Sequence, residues 1–463
     1  MTIKSTAIAL TAFMSLGYGV FSAAQIQRGE PPPEATAPAA QSEFFYLPES
    51  LRPNPNRTPG AVQPIERFPV APGLEAPLLL ERREVYASGA RIVVIDEAGE
   101  REIPRSLREY YVGVVPDKPH IRVALSVDST TGTARGMTIS PSGIYQIVEP
   151  EGADPLLHQL RLQKNETLQG EPLSFDCSAG ELPVPNTVAE WMHSPAISQR
   201  QTAAPTHSAV IAVDTDTEFN LEKFNNNQTA AVDWIADLFV EMNLFYERDL
   251  GLRLLQGDTF IRTASDSYSV TGLSAQLTEF GNYWSTNYSN VQRVMAMHLS
   301  GKSSSAYSAA GIAWVDSYCQ KQSYGGSYSV NRVFTFDGAV AADDAALVGH
   351  ELGHNFGSVH THCYSPPIDQ CYNQESGCYS GPASCPASGH GTLMSYCHLL
   401  GNCTASEEFH SRTVDLITNR FLANTPGCVE ELNAVSSIFL DGFEAMLPQN
   451  LEFPVLLSHS RLR

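Results

Sequence analysis

The chain has 463 residues, enough for two or three domains, and a globular composition with 43% hydrophobic and 17% charged residues. With 29 basic against 50 acidic residues its net charge is −21, which argues against nucleic acid as a partner. Acidity otherwise says little about what the chain binds.

Met1-Thr2-Ile3-Lys4 is followed by an apolar run to about Phe21 and then by Ser22-Ala23-Ala24-Gln25. One lysine, a short apolar core and small residues in that order predict an export signal over residues 1–24, cut after Ala24. No other stretch is long and apolar enough to span a bilayer. A secreted, extracellular protein with no membrane anchor after signal cleavage is expected.

Residues 25–77 are rich in proline, Pro31-Pro32-Pro33, Pro64, Pro69 and Pro77 among them. They read as an extended, poorly packed linker or the start of a propeptide. Residues 78–204 read as a propeptide domain. Short alternating runs at 91–95, 110–115, 121–125 and 143–148, punctuated by Gly, Asp and Pro, predict a small antiparallel β domain. It holds no metal-ligand cluster and no nucleophile constellation. After Phe175-Asp176-Cys177-Ser178 a polar stretch runs to about Pro205, an exposed place for proteolytic separation near Arg200.

A second domain is expected over 205–430. Residues 209–214 read as a buried strand, and 219–246 have helical periodicity with a broad apolar face. Strands at 252–255, 294–299 and 311–315 follow, with a helix near 274–287 after the first of them. This order implies an α/β layer packed against the helix that follows. Residues 431–463 form a short tail to which no function is assigned.

That helix carries His350-Glu351-Leu352-Gly353-His354, continuing through Gly357 to His360: HExxHxxGxxH. Residues four apart share a helix face, so His350 and His354 can aim two imidazoles at one metal ion. Glu351 sits one step round, beside the metal's open position. Gly357 can end the helix in a left-handed turn that returns His360 as a third ligand. Three protein ligands plus water describe a catalytic zinc site, whose water would have a pKa near about 7. Glu351 is placed to take that water's proton and deliver it to a departing amine. His362, His390 and His398 are rivals as ligands; their positions fit surface or supporting roles instead.

With a Met-turn candidate at Gly391-Thr392-Leu393-Met394-Ser395-Tyr396, the motif resembles the metzincin clan of zinc metallopeptidases. Residues 310–319, ending at Cys319, are similar to the edge strand and following cysteine of its reprolysin/adamalysin-like members. The resemblance covers roughly 207–428. It implies an α/β (α+β) metzincin-type catalytic domain with a twisted mixed sheet and an active-site helix, here preceded by a mostly β prodomain. It implies a zinc metalloendopeptidase with one catalytic zinc ion and protein or peptide substrates. Gly311, Ile312 and Ala313 would pair with an extended substrate in antiparallel fashion, and Met394 would floor the site without ligating. Tyr396 would be an oxyanion donor, as in members resembling astacins and serralysins, or simply a packed tyrosine. Eukaryotic reprolysins commonly lack a tyrosine there, so a closer relative is not assigned. No calcium-loop pattern is recognisable, although calcium would suit an exported metalloprotease.

Eight of the nine cysteines lie between Cys319 and Cys428, and Cys177 stands alone upstream. Eight cysteines allow 105 connectivities; the resemblance suggests a Cys319–Cys428 disulfide. Many secreted metzincins are latent because a propeptide cysteine ligates the zinc, and Cys177 is the candidate for that switch, the own propeptide then acting as inhibitor. Its alternatives are a structural thiol or a cross-domain disulfide. A binding protein that keeps the fold without turnover, and a zinc hydrolase acting on a non-peptide bond, are the other functional readings.

Overall fold

The computed structural model describes residues 42–432, apart from residues 55, 151–153, 155, 163–166, 169–170, 173, 179, 181, 195–204, 265, 303–307 and 335–341. The expected export signal, the cleavage region near Arg200 and nearly all of the C-terminal tail lie outside the described residues.

Eight strands form an antiparallel N-terminal sheet in the order β1-β10-β9-β8-β7-β6-β3-β2. They are β1 (Ser42–Tyr46), β2 (Val62–Ala71), β3 (Leu74–Arg83), β6 (Glu109–Val115), β7 (Lys118–Val127), β8 (Ala134–Ser140), β9 (Gly143–Val148) and β10 (Leu157–Leu162). β2 also lies against β8, β9 and β10, so the sheet curls around its own core of Phe68, Leu80, Tyr111, Val123, Leu125 and Ile147. This sheet begins well before residue 78. β1 and β2 belong to the segment that proline content marked as extended and poorly packed, yet Phe68 and Val70 are fully buried. The composition misleads because β2 is an edge strand, the place in a sheet where Pro64 and Pro69 are tolerated.

Between β3 and β6, a hairpin of β4 (Ile92–Asp96) and β5 (Gly99–Ile103) leaves this sheet and joins the next one. An arm follows β10, with the short pair β11 (Thr167–Leu168) and β12 (Glu171–Pro172), then β13 (Ser174–Cys177) and a one-turn helix α1 (Asn186–Trp191).

The second sheet is mixed, in the order β13-β17-β18-β16-β14-β15-β4-β5. Its own strands are β14 (His207–Thr215), β15 (Leu252–Arg262), β16 (Met295–Ser300), β17 (Ser308–Ala313) and β18 (Tyr328–Arg332). β18, not anticipated from the sequence, separates β16 from β17 and pairs antiparallel with β17. On β14, Ala209, Ile211 and Val213 point to one face and Ala212 to the other, the two-residue period of a strand buried on both sides. The first face is covered by α2 (Gln228–Phe245) and α4 (Ala342–Asn355); the second by Leu277, Phe280 and Trp284 of α3 (Leu273–Asn287).

The helical reading of 219–246 needs one correction. A π-turn over Phe219–Lys223 ends at Asn225 and Asn226, with φ of 48° and 62°, and α2 restarts behind the Asn227 cap, whose side chain accepts from the Ala230 N–H at 3.1 Å. Asparagine tolerates the left-handed conformation well enough to break a helix whose apolar pattern continues. The chain closes with the short β19 (His390–Gly391) and β20 (Thr404–Ala405), α5 (Ser411–Leu422) and β21 (Glu430–Glu431), which pairs with β14.

Candidate active site

α4 carries His350, Glu351 and His354 on buried turns, each at most 1% exposed. The helix ends where the Gly357 N–H donates to the His354 carbonyl at 2.9 Å and the Ser358 N–H to Gly353 at 3.0 Å. Gly357 has φ of 112°, a region that strains any L side chain, so glycine here sets the turn that brings His360 back.

The three imidazoles meet through their Nε2 atoms. His354 Nε2 lies 3.0 Å from His350 Nε2 and 3.2 Å from His360 Nε2. Each opposite nitrogen is engaged: His350 Nδ1 with the Leu393 carbonyl, His354 Nδ1 with the Ser358 carbonyl and His360 Nδ1 with Glu375 Oε2, all at 2.7 Å. A carbonyl only accepts, so Nδ1 of His350 and His354 carries the proton, and in the neutral ring Nε2 presents a lone pair. Burial, with neighbouring imidazoles, pushes His350 well below its ordinary value and His354 down to about 3, which keeps both rings neutral. Lone pairs facing one another at this spacing repel unless a cation lies between them. Roughly 3.3 Å separates two nitrogens on a tetrahedron with bonds of about 2.0 Å, so the donor set fits zinc.

A fourth donor completes the group. Cys177 Sγ lies 3.5 Å from His354 Nε2, and the thiol clusters with all three histidines. Its strand β13 runs parallel to β17, Cys177 opposite Gly311, and the Ser178 N–H donates to the Gly311 carbonyl at 2.9 Å. Of the residues expected to form a substrate rim, Gly311 therefore faces the chain's own arm, while the Ile312 and Ala313 side chains are fully buried. A Cβ on Gly311 would collide with the Glu351 carboxylate, so this position holds glycine for space.

Met394 packs beneath the helix, its Sδ 2.8 Å from where a Cβ on Gly353 would stand, and its carbonyl accepts from the Thr361 N–H at 3.0 Å. Tyr396 is buried with its ring centroid 4.3 Å from that of His360, and its hydroxyl donates to the Cys177 carbonyl. Cys319 is bonded to Cys428, Cys363 to Cys378, Cys371 to Cys397 and Cys385 to Cys403, while Cys177 keeps its thiol.

One residue at the site escaped the sequence reading. Glu375 bridges His360 Nδ1 and His362 Nε2, at 2.7 and 2.8 Å. Burial raises its pKa, but the hydrogen bonds from the two histidines outweigh burial and hold the carboxyl well below the usual range. Such a carboxylate orients an imidazole and raises its basicity as a ligand. His362 thus lies behind His360 with their rings stacked, and His390 is exposed.

Residues 205–408 match the Reprolysin_5 family model, described as metallo-peptidase family M12. Over these residues the chain is similar to metallopeptidase family M12. Members of that family are zinc-dependent, in keeping with the histidine cluster. No curated protein matches the chain. Among 70 matching solved chains, one titled "Structure of a chaperone-substrate complex" is 11% identical, with a TM-score of 0.25. That match covers 50% of this chain and only 29% of the other. Metalloproteinase-II from Bacteroides fragilis is 9% identical over 66% of this chain and 82% of its own, with a TM-score of 0.32.

Proposed function

We propose that the chain is a secreted, reprolysin-like zinc endopeptidase held latent by its own N-terminal region. The observation that carries this reading is the convergence of three Nε2 atoms with the Cys177 thiol, all within 4.8 Å of one another. His350, His354 and His360 would hold the metal, and the thiol would take the place that water needs. When bound, zinc supplies Lewis acidity and a water acidified to a pKa of about 7.

The remaining chemistry belongs to the protein. Glu351, next to the cluster and under Gly311, accepts the water's proton and returns it to the departing amine. Tyr396, once the Cys177 carbonyl leaves its hydroxyl, can donate to the oxygen of the attacked carbonyl. The Gly311 edge, freed from β13, pairs with substrate backbone by strand addition. β13 lies parallel to β17, opposite in direction to an antiparallel substrate, which suits a segment that fills the cleft without being cut. Residues 1–24 act as export signal, and maturation cuts the chain before about residue 205.

A non-catalytic binding protein would have no use for Glu351, whose carboxylate shapes even the glycine above it. The test is Glu351→Ala in processed protein. Zinc content and folding should persist, while casein cleavage falls by about 10²–10⁴-fold. Unchanged casein cleavage would remove Glu351 from the base role.

A further inference from the structure

We infer that the N-terminal sheet module is a permanent non-covalent subunit of the peptidase and remains docked after the chain is cut. This deepens the latency reading. It depends on that reading for what the cut achieves, not for the docking.

The first ground is the shared sheet. β4 extends the peptidase sheet at β15 in parallel register, Ile92 opposite Thr259 through Ile95 opposite Arg262. The Ala87 N–H donates to the Gln256 carbonyl and the Gln256 N–H to the Val85 carbonyl, each at 2.8 Å. Without the module, β15 would become a bare edge along its length, an invitation to aggregation.

The second ground is α2. Fourteen of its 18 residues are buried, because the helix lies between the peptidase sheet and a second apolar surface. That surface is the outer face of β6–β8: Tyr110, Val112, Ala124 and Met137 join the peptidase core, while their neighbours Tyr111, Val123 and Leu125 fill the module's own core. Every residue of β6 is buried, as expected of a strand covered on both faces.

The third is charge. Arg83 of the module is buried against Glu247, 2.9 Å away, which Arg253 also holds at 2.6 Å, and Arg135 pairs with Asp237 of α2. Withdrawing the module would take one partner from each buried pair, a costly way to break an ion pair.

A consequence for activation follows. Residues 42–162 contain no cysteine, and the four disulfides lie within 319–428, so the attachment is non-covalent. The arm bearing Cys177 stays linked to the docked module through residues 163–173. One cut beyond α1 therefore leaves the thiol at an effective concentration on the order of millimolar beside the histidines. Release of the cleft requires a second cut before β13.

The experiment places a recognition sequence for an exogenous protease between Ser194 and Pro205, in the Glu351→Ala chain so that no self-cleavage intervenes. After complete cutting, both fragments should co-elute at the uncut mass in about 1 M salt, where surface charge is screened, and separate only on denaturation. Independent elution of the N-terminal fragment would overturn the inference. A second recognition sequence between Leu162 and Thr167, with Glu351 intact, tests the arm. Casein cleavage should appear only after both cuts, and full activity after the single cut would contradict the tether. Co-elution without casein cleavage in any product would uphold the docking and count against the peptidase reading instead.

Discussion

The Tyr396 hydroxyl donates to the Cys177 carbonyl while its ring centroid lies 4.3 Å from that of His360, so one side chain touches both the arm and the histidine cluster. If that hydroxyl is an oxyanion donor once the arm has left, Tyr396→Phe should lower kcat by about 10²–10³-fold with little change in KM. Steady-state kinetics on fully processed protein measures this. A loss under about tenfold would leave Tyr396 as a packed tyrosine beneath the site.

Glu375 reaches His360 from a loop between Cys371 and Cys378. Glu375→Gln keeps a hydrogen-bond acceptor but loses the charge, and zinc affinity should drop by about 10–100-fold. Competition against a chromophoric chelator reads it. An unchanged affinity would mean that the imidazole is oriented by packing alone.

How much of this could be read from the sequence follows from how local each feature is. His350, Glu351, His354 and His360 are related by helix spacing and one glycine turn, so eleven residues describe their geometry. Glu375 is different: a lone acid in a loop joins the site only because the Cys363–Cys378 disulfide and the fold carry it there. Alternation predicts a strand at 91–95, but nothing in that pattern says which sheet receives it, and the β4–β5 hairpin joins β15 rather than the N-terminal sheet. β18 does not read as a strand because Tyr328-Ser329-Val330-Asn331-Arg332 carries polar residues, Ser329 and Asn331, that look like loop and are buried here. Both are accommodated by hydrogen bonding, Asn331 to Ser329 and to the His298 carbonyl.

Stability should also depend on pH through Glu407. Burial, reinforced by the charge of Asp343, pushes its carboxyl up to about 8. The unfolded value is about 4.3, so the folded state binds the extra proton. Glu407 thus contributes stability fully below that value and loses it as pH rises through about 8. Glu407→Gln mimics the protonated form. Its Tm relative to wild type should improve by roughly 2–4 °C or more between pH 5 and 8.5. A difference in Tm that stays constant with pH would contradict the assignment.

Latency, as proposed above, rests on the Cys177 thiol taking the place beside the three histidines that water would need. The most direct measurement is zinc-dependent casein cleavage by uncut full-length chain, wild type against Cys177→Ser, with intact mass confirming that neither has been cut. Loss of the thiolate should let the uncut arm leave the cleft, giving chelator-sensitive turnover from the serine variant and none from the wild type. Equal latency of the two uncut chains, in a preparation whose doubly cut form is active, would contradict it.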